Sequence, residues 1–172
     1  GFESGIIRLD RQARVSTVTR NVGAPAGIDV GPDGRVFYAD YARDAVTELL
    51  PDGRSRVVQA GILSPVGLCV DSEGRIWVGA ASPEDRRNPQ TLGEVRNSRI
   101  LRFAPGEPPQ RVFEAEPGRS ITFFDVDEAG TLYVPDGKRL LRRDPSGQVD
   151  VIALGFANAR GVVVTRTGDI VV

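Results

Sequence analysis

Histidine is absent from the 172 residues. Its absence removes the commonest general base and a common metal ligand together. It also leaves any serine or cysteine nucleophile without an imidazole partner. Methionine is absent too, so the chain lacks an initiator and is expected to be a processed product or a piece of a longer translation unit. Cysteine occurs once, which rules out an internal disulfide. Cys69 stands in the apolar run Gly67-Leu68-Cys69-Val70 and is expected to be a buried, inert thiol. Lysine occurs as Lys138 alone, beside 21 arginines, a bias that points to a GC-rich bacterial genome and carries no mechanism.

The net charge is −1, with the two signs interspersed, so no long-range field draws the chain toward nucleic acid or an anionic membrane. No apolar stretch approaches the roughly 18 residues of a membrane span. There is no G-x-S-x-G elbow and no phosphate-cradling glycine loop. Carboxylates adjoin one another only at Glu84-Asp85 and among turn acids, which gives glycosidase chemistry no basis. The expectation is a chain with no catalytic residue, no metal site and no cofactor.

What is present is self-similarity. Pro25-Ala26-Gly27-Ile28-Asp29-Val30-Gly31-Pro32-Asp33-Gly34-Arg35-Val36-Phe37-Tyr38 aligns almost position for position with Pro65-Val66-Gly67-Leu68-Cys69-Val70-Asp71-Ser72-Glu73-Gly74-Arg75-Ile76-Trp77-Val78. A third copy runs from Thr122 to Val134 and a fourth from Arg160 to Val172. Their turn glycines, Gly34, Gly74, Gly130 and Gly168, are 40, 56 and 38 residues apart, the long interval carrying an insertion. A second block follows each copy, as Val46-Thr47-Glu48-Leu49-Leu50-Pro51-Asp52-Gly53, Ile100-Leu101-Arg102-Phe103 and Leu140-Leu141-Arg142-Arg143. Ile6-Ile7-Arg8-Leu9-Asp10 opens the chain with the same pattern.

Short β-branched or aromatic runs divided by Asp-Gly and Pro-x-Gly turns read as hairpins, since glycine supplies the positive φ such turns need. No stretch sustains a 3.6-residue period, so helix content is expected to be low. Each repeat holds four strands: an apolar first, an aromatic second, an alternating third and a polar fourth at the outer edge. One such sheet cannot bury both of its faces. Sheets stacked radially can, and the fold class is therefore an all-β propeller of four-stranded blades.

The Pro-x-Gly-Ile/Leu-x-Val, Asp/Glu-Gly and Val-Phe-Tyr-Ala-Asp patterns resemble NHL-repeat propellers, and Asn97-Ser98-Arg99-Ile100 is similar to the Asn-x-Arg-Ile that leads into their third strand. Related repeats occur in the gluconolactonase and senescence-marker family and in the streptogramin lyases. The resemblance spans essentially the whole chain and is specific for fold, whereas propellers of this kind carry many unrelated functions. Residues 1–172 are expected to form one propeller domain, with full blades at 24–62, 64–116 and 119–156 and half-blades at 1–22 and 157–172. The half-blades are complementary, which favours a closed four-bladed ring in which they share one blade. The alternative is an excerpt of a six-bladed ring, the usual number among the relatives. An open arc would expose strand edges and invite self-association.

Ligands of propellers meet the face formed by the loops joining strand two to three and strand four to one. Asp40, Tyr41 and Asp136 begin two such loops; the aspartates either point at a ligand or accept hydrogen bonds from loop amides and a neighbouring arginine. The insertion at 80–96 adds Arg86 and Arg87, able to fork onto a carboxylate or phosphate or simply to pair with local acids. In the lactonase relatives, the resemblance implies, an aspartate before the inner-strand glycine helps to hold a divalent metal. Here that position is Ala26, Val66, Thr122 and Arg160 in the four copies, so the metal set is not reproduced. Arg160 is the one charged member; it meets an anion or pairs with an acid such as Asp40 or Asp136. The lyases need histidines, which this chain lacks.

The expected function is a non-catalytic binding or scaffold module that presents its rim and channel to a protein, peptide or small-molecule ligand, with no nucleic-acid or membrane partner. The alternative is a fragment of a lactonase- or lyase-like enzyme whose catalytic residues lie elsewhere.

Overall fold

A computed structural model describes residues 4–20, 22–83 and 97–172. The protein is all-β, as the repeats imply, with a single 3-10 turn at Tyr41–Arg43. The strands are β1 (Gly5–Leu9), β2 (Val15–Arg20), β3 (Pro25–Val30), β4 (Val36–Asp40), β5 (Ala45–Leu49) and β6 (Ser55–Ala60). They continue as β7 (Leu68–Val70), β8 (Ile76–Ala81), β9 (Asn97–Phe103), β10 (Gln110–Glu114), β11 (Asp125–Val126), β12 (Leu132–Arg143), β13 (Val149–Ala159), β14 (Val163–Val164) and β15 (Ile170–Val171).

They form small antiparallel sheets in chain order: β1-β2, β3-β4-β5-β6, β7-β8-β9-β10, β11-β12-β13 and β14-β15. Two are the four-stranded blades expected. In the third, the expected second and third strands form one continuous element, because Gly137 in the connection itself pairs with Ala159, with a register shift before Arg139 pairs with Leu154. The hairpins β1-β2 and β14-β15 stand as separate sheets, with Ile7, Leu9, Val15, Val163, Ile170 and Val171 exposed. The innermost strands lie side by side in succession, β3 beside β7, β7 beside β11 and β11 beside β14.

Period-2 alternation explains how each blade serves two neighbours. In β4, Phe37 and Ala39 face the sheet β7–β10 and pack with Ile76, Val78, Leu101 and Phe103. Tyr38, between them, faces the other way, onto Val22, Leu49 and Ile6. In β8 the pattern repeats: Ile76 and Val78 look back at the preceding blade, while Trp77 joins Phe124, Leu132 and Val134 of the next. Trp77, Tyr38 and Ile76 are fully buried in consequence.

The turn acids are matched to the aromatics below them. Asp71 accepts from the indole Nε1 of Trp77 at 2.8 Å, and Asp127 from the Tyr133 hydroxyl at 3.2 Å. In the first copy the acid is replaced by Gly31 and the aromatic by Phe37, which has nothing to donate. Burial pushes the Asp71 carboxyl up, but the bonds from Trp77 and Arg75 outweigh it and leave the group below its usual range.

Between blades, the inner strands touch through backbone. A Cβ on Gly27 would strike the Val66 carbonyl oxygen and lie 2.8 Å from Leu68 N, and one on Gly67 would strike the Thr122 carbonyl oxygen. At two of the blade boundaries a carboxylate crosses to the following blade: beside the Gly27 contact Asp29 Oδ2 accepts from Val70 N, and one boundary beyond the Gly67 contact Asp125 Oδ2 accepts from Val164 N, both at 2.8 Å. Cys69 holds the corresponding place in the second copy. It is buried, and burial, then the charges of Asp125, Asp29 and Asp71, raises its thiol well above the ordinary value, which keeps it protonated and unreactive.

Two outcomes follow from this packing. Gly27→Ala should cost about 2 kcal/mol in urea-induced unfolding, because the new methyl meets backbone that cannot yield; a variant as stable as the parent would refute the close approach. Glu48, nearly buried, accepts two bonds from Arg35 at 2.9 and 3.0 Å and others from Arg56. Arg35 chiefly, with Arg56, lowers its pKa from 4.5 to about 2. The stabilisation is therefore complete above pH 4.5 and disappears as pH falls toward 2. With both guanidinia partly in solvent, Glu48→Gln should remove on the order of 1–2 kcal/mol at neutral pH and flatten the acid limb of a pH–stability curve.

Candidate functional site

The face formed by the strand-two-to-three and strand-four-to-one connections carries a polar cleft of about 260 Å³. Three segments build it. The connection after β10 turns through a bond from Arg119 N to the Glu116 carbonyl at 3.0 Å and supplies Arg119, Ser120 and Thr122. β12 supplies Asp136 and Gly137, the end of β13 supplies Asn158 and Ala159, and Arg160 follows directly after it. The Gly137–Ala159 pairing and a bond from Phe123 N to the Arg160 carbonyl at 3.1 Å fix the segments to one another.

Asp136 is 6% exposed at the floor of this cleft. Its Oδ2 accepts two bonds from Arg139, one of them from Nε at 3.0 Å, and its Oδ1 lies 3.6 Å from Arg119 Nε. Arg139 also forks onto Glu116, at 3.2 and 2.9 Å, and those bonds hold the Glu116 carboxyl below its usual range. Arg160 is exposed and, among the described residues, forms no ion pair. The pairing of Arg160 with Asp40 or Asp136 that the sequence suggests is thus replaced by Arg139 and Arg119, which reach Asp136 from the same blade's own segments.

Beside the cleft, and sharing Ser120 and Asp136 with it, a chamber of about 500 Å³ opens between β10 and the sheet β11–β13. Its apolar walls are Phe113, Ile121, Val134 and Leu141, the half-exposed Val149 and Val151 stand at its mouth, and Glu114, Glu116, Arg139, Arg143 and Asp150 add charged lining.

Asp40 and Tyr41 lie apart from this cleft, in the first full blade. Asp40 is fully buried and caps the 3-10 turn. Its Oδ1 accepts from Arg43 N at 3.2 Å and Ala24 N at 3.4 Å, and its Oδ2 pairs with Arg43 Nη1 at 2.9 Å. These three bonds tie both of its oxygens to the loop. Tyr41 projects with 42% exposure. Arg86 and Arg87 lie outside the described residues. Of the residues singled out in the sequence, the structure brings together Asp136 and Arg160; it adds Arg119, Ser120 and Asn158, which belong to no repeat motif. Among the described residues no group of three or more His, Cys, Asp or Glu side chains converges as a metal site would require.

Radially stacked small sheets with a shared connection face make the chain a β-propeller. No family model matches it, and no curated protein matches it in sequence. Solved structures do match. Streptogramin B lyase superposes with a TM-score of 0.70 at 15% identity, over 96% of this chain and 54% of that one. A gluconolactonase from Xanthomonas campestris superposes at 0.56 and 18% identity, over 95% and 73%. A chain of a nidogen/laminin complex superposes at 0.68 and 15% identity, over 91% and 60%. At these identities the likeness is one of fold, and it falls on the propeller groups that the repeats resemble. The chain spans about half the length of the streptogramin B lyase chain.

The Asp40 geometry has a direct test. Asp40→Ala leaves two loop amides without their acceptor and should lower the unfolding free energy by about 1–3 kcal/mol. Asp40→Asn, which keeps an acceptor oxygen, should lose less. Equal losses from both variants would show that charge, not amide capping, is what matters there.

Proposed function

We propose that the chain is a non-catalytic β-propeller module that binds a ligand at its connection face. The observation that carries this reading is the state of the acids on that face. Asp40 and Asp136, the carboxylates best placed to hold a metal or move a proton, are occupied by arginines and loop amides. The chain has no histidine to act in their stead. What the face offers instead is cationic and hydrogen-bonding: Arg119, Arg160, Ser120, Thr122 and Asn158 around one cleft. Such a set recognises and does not transform. A propeller of similar fold sits in a nidogen/laminin complex, so the architecture is compatible with binding work.

A second reading is favoured by the share of the streptogramin B lyase chain that is covered. In it these residues are one stretch of a larger lactonase- or lyase-like propeller whose catalytic groups lie outside them. The test is turnover. The chain, supplied with calcium, zinc or magnesium, should hydrolyse no aldonolactone and should not open a streptogramin B ring above the uncatalysed rate. Turnover that a chelator abolishes would overturn the binding reading. Flanking coding sequence carrying two further repeats, with Asp-Gly or histidine at the channel positions, would favour the second.

A further inference from the structure

Around Asp136 the charges do not cancel. Arg119, Arg139 and Arg160 stand near two acids, Asp136 and Glu116. The other acids of the adjoining chamber are taken, Glu114 by Arg111 and Asp150 by Arg142. Arg143, at the far end of β12, donates to the Asp144 carbonyl at 3.1 Å. The cation left over at the cleft is Arg160, an exposed lining residue without an ion pair among the described residues. One unmatched cation, flanked by two hydroxyls and an amide, calls for one negative charge with several acceptor lone pairs.

A bare inorganic anion would leave the neighbouring chamber unused. That chamber has the size of a small-molecule site, about 500 Å³, with Ile121, Val134 and Leu141 as an apolar floor among ion-paired charged side chains. It meets the cleft at Ser120 and Asp136, which line both. Asp136 does not repel an anion lodged beside it, because Arg139 and Arg119 neutralise it.

We propose that this pair of cavities binds a small amphipathic carboxylic acid, its carboxylate between Arg119 and Arg160 and its apolar part in the chamber above Ile121, Val134 and Leu141. The inference rests on the reading of the connection face as a binding face and adds the class of ligand. A planar fork suits a carboxylate better than a point charge does. The apolar body supplies the affinity that a solvent-exposed ion pair alone lacks.

Calorimetric titration of the whole chain with octanoate, acetate and inorganic phosphate tests the assignment. Octanoate should bind at least about tenfold more tightly than acetate, since each methylene withdrawn from water contributes several-fold. Arg160→Ala should weaken octanoate by about tenfold or more, and Arg160→Lys by less, because the charge survives while the fork is lost. Val151→Asp, at the chamber mouth, should weaken octanoate and leave acetate unchanged. Octanoate no tighter than acetate, phosphate as tight as octanoate, or an Arg160→Ala protein that binds octanoate like the parent would each overturn the proposal. Both altered side chains are exposed, and thermal melts of the variants separate loss of site from loss of fold. Chelator-sensitive turnover in the assay above would overturn the binding reading itself, whereas silence there together with indifference to octanoate would overturn the ligand class alone.

Discussion

The innermost strands of successive blades approach until backbone meets backbone. Gly27 lies against the Val66 carbonyl and Gly67 against that of Thr122, so that a single added carbon has no room. At the same depth the Asp29 and Asp125 carboxylates reach across to amides of the following blade. A carboxylate in such a place is under opposing influences. For Asp125, burial is the largest and, with the charges of Asp29 and Asp127, raises the pKa, although amides of Val164 and Val126 pull it down. Its bond is therefore held at some electrostatic cost, and protonation relieves it; the sign is opposite to that of Glu48, whose arginines favour the charged form. Close approach at the centre is what sets the blade faces at packing distance farther out, where Phe37, Ile76 and Phe103 fill one interface and Trp77, Phe124 and Leu132 the next.

The same constraint makes the connection face. Once inner strands are clamped in sequence, the segments that enter and leave them must gather at one end, and residues far apart in the chain become neighbours. Arg119, Asp136 and Arg160 meet for that reason. Their arrangement separates structural from available charge. Asp136 is consumed by two arginines from its own surroundings, and Arg160 is left over. Polar loops on a rigid scaffold are where binding properties reside in folds of this type.

Much of the architecture is legible in the residues because the repeat states it several times. The second strand and its apolar neighbours recur in the same order in each copy, and alternation alone tells that Phe37 and Tyr38 face opposite blades. The inter-blade carboxylates were also open to inspection: Asp29 and Asp125 share an aligned position inside an apolar strand, a place where an acid has to have a partner. That partner lies about 40 residues along the chain and belongs to another blade, which local patterns do not reveal. The cleft was half visible. Arg160 stood out as the charged member of its column, and Asp136 as the end of a strand. Arg119, Ser120 and Asn158 lie in connections of irregular length, where no spacing rule applies and only the fold decides who meets whom. Likewise, the merging of two expected strands into β12 depends on a pairing between Gly137 and Ala159, a tertiary choice with no local signature.

Native-state hydrogen exchange at the Val70 and Val164 amides addresses the inter-blade clamp most directly. Bonded to carboxylates of the preceding blade, both should exchange only through the large openings that also release the β4 and β8 amides. Exchange at the rate of the outer strands β6 and β10 would mean that the inner strands are not held to one another, and the account of the fold built on that contact would fail.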